Sequence, residues 1–176
     1  MKEEMRLALG IDPGTALTGY GLVAERKDGL SLVSYGVIAT PAEQPLAERL
    51  VLLYDRLTAL VRHEKPSEVA VEEFFLGRNL RAAAAVYQAQ GVALLAAAHQ
   101  GLPVSTYTPL QVKQAIAKYG RARKEQVQEM VRLILNLEAV PQPDDAADAV
   151  AIAICHLEST RQARTLASLT SGGSLA

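Results

Sequence analysis

The amino-acid sequence predicts a single α/β domain in which helices cover a mixed β-sheet. Three strand-like segments open the chain, helical and strand-like segments then alternate, and no repeat or internal linker divides the 176 residues. A strand meander followed by a βαβαβ pattern gives a mixed sheet with helices on its faces. A chain of this length in which 49% of residues are hydrophobic can form one full-sized core.

The first three strands are expected to form the meander. Leu7, Leu9 and Ile11 alternate with smaller residues up to Asp12, which is the period of a strand. Asp28-Gly29 is a strong hairpin signal, and it separates the next two strands. These strands are predicted over about residues 17–25 and 30–39.

Helices then alternate with short strands. A helix is predicted over residues 46–64, because leucines at positions 46, 50, 53, 57 and 60 form one apolar stripe and Pro66 ends it. The later elements are predicted as strands at 68–72 and 102–107 and helices at 79–100, 109–118, 124–135 and 144–161. The domain is therefore predicted to span residues 1–161, with a flexible tail at 162–176.

Composition argues against several classes of protein. No apolar run reaches the roughly 18 residues that indicate a membrane-spanning helix. The first ten residues, MKEEMRLALG, contain two acids and no long apolar segment, so a signal peptide is not expected. The lone Cys155 cannot form an internal disulfide and fits a reducing cytoplasm.

Charge is unevenly distributed along the second half of the chain. Residues 111–132 contain six Lys or Arg and two acids, whereas residues 138–158 contain five acids and no Lys or Arg. This order suits a site that holds phosphate on one side and metal on the other. Two helices with solvated charged faces would give the same pattern, so charge alone does not decide between them.

Four carboxylates are candidates for such a site. Asp12 and Glu72 each end a predicted strand, where ligands bind in open α/β sheets. Asp145 and Asp148 are three residues apart at the start of the last helix, on the face that continues into apolar residues. Taken singly, each acid has an ordinary explanation, as a turn residue, a surface acid or a complement to the helix dipole.

Together, the four acids make a specific chemical hypothesis. Converging carboxylates repel one another and raise each other's pKa. Two divalent cations about 3.5–4 Å apart would turn the same cluster into a site for in-line attack on a phosphodiester. Oxygen ligands favour magnesium or manganese, and no CxxC or HExxH motif offers a competing metal site.

Four segments in order resemble the RuvC family of bacterial Holliday junction resolvases: GIDPGTALTGYG, VAVEEFF, VKQAIAKYGRARKEQVQEMV and DDAADAVAIAICH. The resemblance extends over about residues 6–158. It implies an RNase H-like fold with a mixed five-stranded sheet. It also implies a homodimer that cuts two opposing strands of a four-way DNA junction symmetrically with magnesium or manganese, alongside branch-migration motor proteins of the same pathway.

The resemblance also implies roles for individual residues. The metal-binding and catalytic acids fall on Asp12, Glu72, Asp145 and Asp148. An aromatic wedge beside the junction centre falls on Phe75, and the phosphate-contacting lysines fall on Lys113 and Lys124. From their position in the sequence alone, Arg78 and Arg81 are close enough to Phe75 to contact the adjacent phosphates, although solvated residues at a helix start would give the same pattern. The small residues of the helix at 79–100 are expected to supply part of the dimer contact.

Three other functions compete with this hypothesis. The DPGT segment is similar to the phosphate loop of actin-like and sugar-kinase ATPases, but those proteins need two related domains. An RNase H-like nuclease that matures ribosomal RNA would keep the acids without needing Phe75 and the two lysines. A junction-binding scaffold would need none of the acids, so their presence at all four positions counts against it.

Overall fold

The computed structural model describes residues 5–73 and 80–171. The strands in this part of the chain are β1 (Arg6–Asp12), β2 (Leu17–Arg26), β3 (Gly29–Ala39), β4 (Glu68–Glu72) and β5 (Val104–Tyr107). The helices are α1 (Leu46–Glu64), α2 (Leu80–His99), α3 (Pro109–Ala117), α4 (Lys124–Ile134) and α5 (Asp144–Ser171).

The strands form one mixed sheet in the order β3-β2-β1-β4-β5. The β1–β2 and β2–β3 pairs are antiparallel, whereas β4 runs parallel to both β1 and β5. The predicted α/β fold with a mixed five-stranded sheet is confirmed. Because Ile11 pairs with Val71 in parallel strands, the residues that follow them, Asp12 and Glu72, lie side by side at one edge of the sheet.

Each face of the sheet carries its own hydrophobic layer. Leu9 and Ile11 of β1 are buried with residues of α1 and α2, such as Leu57 and Ala93. Ala8 of β1 faces the other way and is buried among residues of α3, α4 and α5. The period-two pattern of β1 therefore assigns alternate side chains to opposite layers, and Asp12 lies on the α5 side.

Two glycines allow α5 to pack directly on the backbone of the sheet. A Cβ atom at Gly10 would collide with the backbone oxygen of Ala149, and one at Gly19 would collide with the backbone oxygen of Asp145. Gly19 is also the antiparallel partner of Asp12. The absence of side chains at these positions therefore brings the first turn of α5 next to the end of β1.

The main difference from the prediction is the length of α5. This helix was expected to end near Arg161, but it continues to Ser171. Residues 162–169 are exposed, so the extension has no buried stripe that would have revealed it. Its side chains are mostly good helix formers, and Arg164 forms an ion pair with Glu25 at 2.8 Å. The division into a domain at 1–161 and a tail at 162–176 remains a prediction.

The predicted leucine stripe of α1 is only partly buried. Leu53 and Leu57 are in the core, where they are joined by Thr58 and Val61. The helix ends at Glu64, and the following Lys65 adopts a left-handed backbone conformation just before Pro66. None of the helices that the structure describes is long and apolar enough to cross a membrane.

Candidate active site

Asp12 and Glu72 form the centre of the site. Their side chains are close enough for each to affect the pKa of the other. Burial and then the negative charges of Glu72, Asp148 and Asp145 raise the pKa of Asp12 to about 8. Burial and then the charge of Asp148 raise the pKa of Glu72 to about 7, against the opposing effect of nearby cations. A proton is therefore shared within this carboxylate pair near neutral pH.

Asp145 and Asp148 reach the site from the first turns of α5. Both side chains are partly buried, and their charges act on Asp12. Burial raises the pKa of Asp148, although Lys124 opposes this effect. The structure therefore brings together the four acids that the sequence singled out, and the face of α5 below them is buried as expected, with Ile152 and Cys155 at most 1% exposed.

Asp144 has a different environment from its neighbours. It is exposed, and hydrogen bonds from Lys124 and Gln128 hold its pKa below the ordinary value. The Gln128 amide lies 3.2 Å from a carboxylate oxygen of Asp144. Asp144 therefore connects the start of α5 to α4 and does not belong to the carboxylate cluster.

The two predicted phosphate-contacting lysines line the same small cavity as two of the acids. This cavity has a volume of about 190 Å³, and Glu72, Lys113, Lys124 and Asp148 contribute to its wall. Burial lowers the pKa of Lys124, but its contacts with Asp148 and Asp144 outweigh that effect and raise the pKa to about 12. Lys124 is therefore a permanent cation beside the acids.

A polar network fixes the turn that follows β1. The buried Thr18 hydroxyl donates to the carbonyl of Gly14 at 2.7 Å. The Arg49 guanidinium donates to the carbonyl of Thr15 at 2.6 Å and to the hydroxyl of Thr40 at 2.9 Å, and that hydroxyl donates to Thr15. Sequence reasoning missed Arg49, because its partners are 9 and 34 residues away and no periodic pattern links them.

The side chains predicted to contact an unpaired base and the flanking phosphates lie outside the described part of the structure. Phe75 and Arg78 lie outside the described residues, which exclude positions 74–79. Arg81 falls in the first turn of α2, and its side chain is likewise outside the described part of the chain. The roles of these three residues therefore stay predictions.

The chemistry of the four acids suits a hard divalent cation, although their arrangement is not that of a ready metal cage. Within residues 5–73 and 80–171, no three His, Cys, Asp or Glu side chains are placed so that they could hold a metal ion as they stand. The donors are all carboxylates, which hard cations prefer, and burial together with neighbouring negative charge raises the pKa of Asp12 and Glu72. In this conformation Lys124 supplies positive charge beside Asp148.

A second polar cluster lies at the opposite end of the sheet, about 20 Å away along β1. Arg6 lies 2.9 Å from Glu25 and 2.7 Å from Glu68, and His156 lies 2.7 Å from Glu68. The Tyr107 hydroxyl and a ring nitrogen of His156 are 2.9 Å apart. A cavity of about 600 Å³ adjoins Arg6 and Glu25, but it is remote from the carboxylate cluster.

Comparisons with known proteins agree with the motifs. The family model described as crossover junction endodeoxyribonuclease RuvC matches residues 8–156. A protein of that name from Desulfitobacterium hafniense is 56% identical over 153 residues, which are 87% of this chain and 93% of the relative. Another from Thermomicrobium roseum is 52% identical over 156 residues, covering 89% of this chain and 95% of the relative.

Solved structures of similar fold include the RuvC protein of Thermus thermophilus. Its structure has a TM-score of 0.83 at 39% identity, covering 89% of this chain and 96% of that chain. The same protein in complex with Holliday junction substrate has a TM-score of 0.80 at 38% identity, with the same coverage. The yeast mitochondrial resolvase Ydc2, at 16% identity and a TM-score of 0.67, supports the predicted RNase H-like fold alone. The chain belongs to the crossover junction endodeoxyribonuclease RuvC family.

Proposed function

We propose that this chain resolves four-way DNA junctions by hydrolysing one phosphodiester bond in each of two opposing strands. Family membership over residues 8–156 is the observation that carries this function. The convergence of four carboxylates next to two lysines supports the same chemistry from the geometry of this chain. A related structure, that of Thermus thermophilus RuvC, was solved in complex with Holliday junction substrate.

The four carboxylates are the proposed metal ligands and catalytic residues. Asp12 and Glu72 would contribute from the ends of β1 and β4, and Asp145 and Asp148 from the first turns of α5. When bound, two magnesium or manganese ions would activate the attacking water and stabilise the leaving oxygen. Before that, the proton shared by Asp12 and Glu72 must leave, since only ionised carboxylates bind a cation strongly.

The lysines are proposed to hold the scissile phosphate. Lys113 and Lys124 approach Glu72 and Asp148 from α3 and α4, so a phosphate in the shared cavity would contact both cations beside the metal ligands. An ammonium group contacts phosphate as a compact point charge. This arrangement would place the phosphorus atom between the lysines and the carboxylates.

The contacts proposed for the junction itself come from the segment after β4. Phe75 would stack on an unpaired base at the crossover, a contact worth about 1–3 kcal/mol. Arg78 and Arg81 would contact the adjacent phosphates. These assignments rest on position in the sequence, because Phe75 and Arg78 lie outside the described residues and the Arg81 side chain does too.

A homodimer is proposed because the substrate has two equivalent strands to cut. One face of α2 supports it, since a run of small or apolar residues at helical spacing is exposed there. Its members are Ala84, Tyr87, Gly91, Leu95 and Ala98. A Cβ atom at Gly91 would meet nothing within 4 Å, so another helix has room to approach. Contacts with branch-migration motor proteins and a cytoplasmic location remain predictions.

Junction selectivity tests this function. The protein is incubated with magnesium and with labelled four-way junction, duplex, flap and structured RNA substrates of matched length. We expect paired symmetric nicks in opposing strands of the junction alone. Cleavage of the RNA but not the junction would identify a ribosomal RNA nuclease, and tight junction binding without cleavage under magnesium or manganese would identify a scaffold.

A further inference from the structure

The ammonium group of Lys124 lies where a cation of the site would be expected. Its nitrogen is 2.9 Å from a carboxylate oxygen of Asp148 and 3.2 Å from one of Asp144. Lys124 is the first residue of α4, and the two acids are four residues apart on one face of α5. The side chain therefore bridges two helices and places its charge on Asp148 at the wall of the cavity that Lys113 and Glu72 also line.

Asp148 differs in this respect from the other proposed metal ligands. Among the described side chains, it is the one member of the four with a Lys or Arg nitrogen within 4.0 Å. An ammonium in contact with a carboxylate oxygen repels a divalent cation that approaches the same group. A metal ion that binds Asp148 must therefore displace Lys124 or accept a weakened ligand.

We propose that Lys124 occupies the position of a cation beside Asp148 in the resting protein and that metal binding releases it toward the cavity it shares with Lys113. This inference rests on the proposed metal site. Lys124 then has a different role in each state. Without metal its ammonium group pairs with Asp148, and with metal bound the same group contacts phosphate.

Linkage follows from this exchange. A metal ion that frees Lys124 favours phosphate binding, and a phosphate that attracts Lys124 into the cavity favours metal binding by the same factor. The resting protein should therefore bind metal weakly, and DNA should strengthen that binding. Loss of the lysine side chain would remove the competition without removing a metal ligand.

The test is calorimetric titration of manganese into metal-free, DNA-free protein, with variants Lys124→Met and Lys124→Gln. Lys124 is 45% exposed at a helix start, so both variants are expected to fold, as thermal melting will show. We expect each to bind manganese about 5-fold or more tightly than the parent. Lys113→Met is the matched control, because Lys113 also acts on Glu72 from the same cavity but has no ion pair with an acid among the described residues.

Each outcome has a separate meaning. Equal manganese affinity in Lys124→Met and the parent overturns the inference. Equal tightening by Lys113→Met also overturns it, because the effect would then be one of overall charge. Asp148→Asn separates the two proposals: if it binds manganese as tightly as the parent, Asp148 is no metal ligand and the proposed metal site fails with the inference. If Asp148→Asn alone changes affinity, the metal site stands and only the role of Lys124 is lost.

Discussion

Glu68 and Glu72 lie at the two ends of the same short strand and have opposite electrostatic environments. Burial would raise the pKa of Glu68, but hydrogen bonds from Arg6 and His156 outweigh burial and lower it. Glu72 is buried among other acids, and its pKa is raised to about 7. The first carboxylate accepts hydrogen bonds from Arg6 and His156, whereas the second is affected mainly by burial and by the charge of Asp148.

This difference separates a structural carboxylate from a candidate functional one. A paired acid such as Glu68 depends on partners that the fold already supplies, and the loss of one partner is costly. A cluster of unpaired acids costs stability and is retained where something else, such as a metal ion, supplies the missing charge. Both residues are half-buried ends of the same strand, so their partners, and not their burial, distinguish the two roles.

The largest expected effect is on cleavage. Asp12→Asn, Glu72→Gln and Asp148→Asn should each lower the single-turnover rate on a four-way junction by on the order of 10³-fold or more, because each removes a charged group of the proposed metal site. Junction binding should survive, since phosphate contacts come from other residues. Glu73→Gln is the control for Glu72→Gln, and a parental rate in any of the three variants would remove that residue from the site.

The next largest effect is expected on stability, when the polar cluster around Arg6 at the opposite end of the sheet is disrupted. Arg6→Met removes one guanidinium from both Glu25 and Glu68, which keep Arg164 and His156 as their described partners, so the free energy of unfolding should fall by about 2–3 kcal/mol in urea titrations. Arg62→Met is the control, because Arg62 is exposed and donates a hydrogen bond to neutral Gln100 at 3.1 Å, and a change below about 0.5 kcal/mol is expected. An equally small change for Arg6→Met would contradict the structural role of the cluster.

The stability of the metal-free protein should depend on pH because of the acid cluster. The pKa of Asp12 rises from 3.8 to about 8 and that of Glu72 from 4.5 to about 7, so the folded state binds these protons more tightly than the unfolded chain. The resulting stabilisation is complete below about pH 4 and is lost as the pH rises through about 7 to 8. Glu68 acts in the opposite direction, and its contribution is lost as the pH falls below its ordinary pKa of 4.5.

Thermal melting in EDTA between about pH 5 and about pH 8.5 measures this dependence. The melting temperature of the parent should fall across the range, and Asp12→Asn should flatten the fall because it removes the group with the higher pKa. A parent whose melting temperature does not change with pH would show that the acids are not buried together.

The smallest expected effect distinguishes electrostatic contacts with phosphate from stacking on a base. Lys113→Met should flatten the plot of log junction affinity against log salt by about one unit, because one fewer counterion is released. Phe75→Ala should leave that slope unchanged and slow cleavage at saturating protein, because a stacking contact releases no counterion. Cleavage at the parental rate in Phe75→Ala would withdraw the wedge assignment.

Sequence patterns predicted the elements that pack on the core. The bounds of α1 and β4 agree with the structure residue for residue, because proline and polar residues flank a clear apolar pattern. The four acids were predicted to lie close together because two of them end strands and two lie at the start of the last helix. The extension of α5 was missed because residues 162–169 are exposed and carry no periodic signal.

Contacts between distant polar residues could not be predicted. Arg6 bonds Glu25, Glu68 and Thr160, which are 19, 62 and 154 residues away. The bridge from Lys124 to Asp148 likewise depends on how α4 packs against α5. Side-chain partners of this kind are set by the tertiary fold, which local periodicity does not encode.

Because α5 contacts the sheet at Gly10 and Gly19, main-chain atoms determine the distance between the two elements at the site. Where side chains separate two elements, substitution of those side chains changes the distance between the elements. At Gly10 and Gly19 no side chain intervenes, so the distance between Asp12 and the first turn of α5 is set by main-chain atoms in van der Waals contact. The α1 and α2 layer can therefore change its packing on the far face of the sheet while the carboxylates keep their separation.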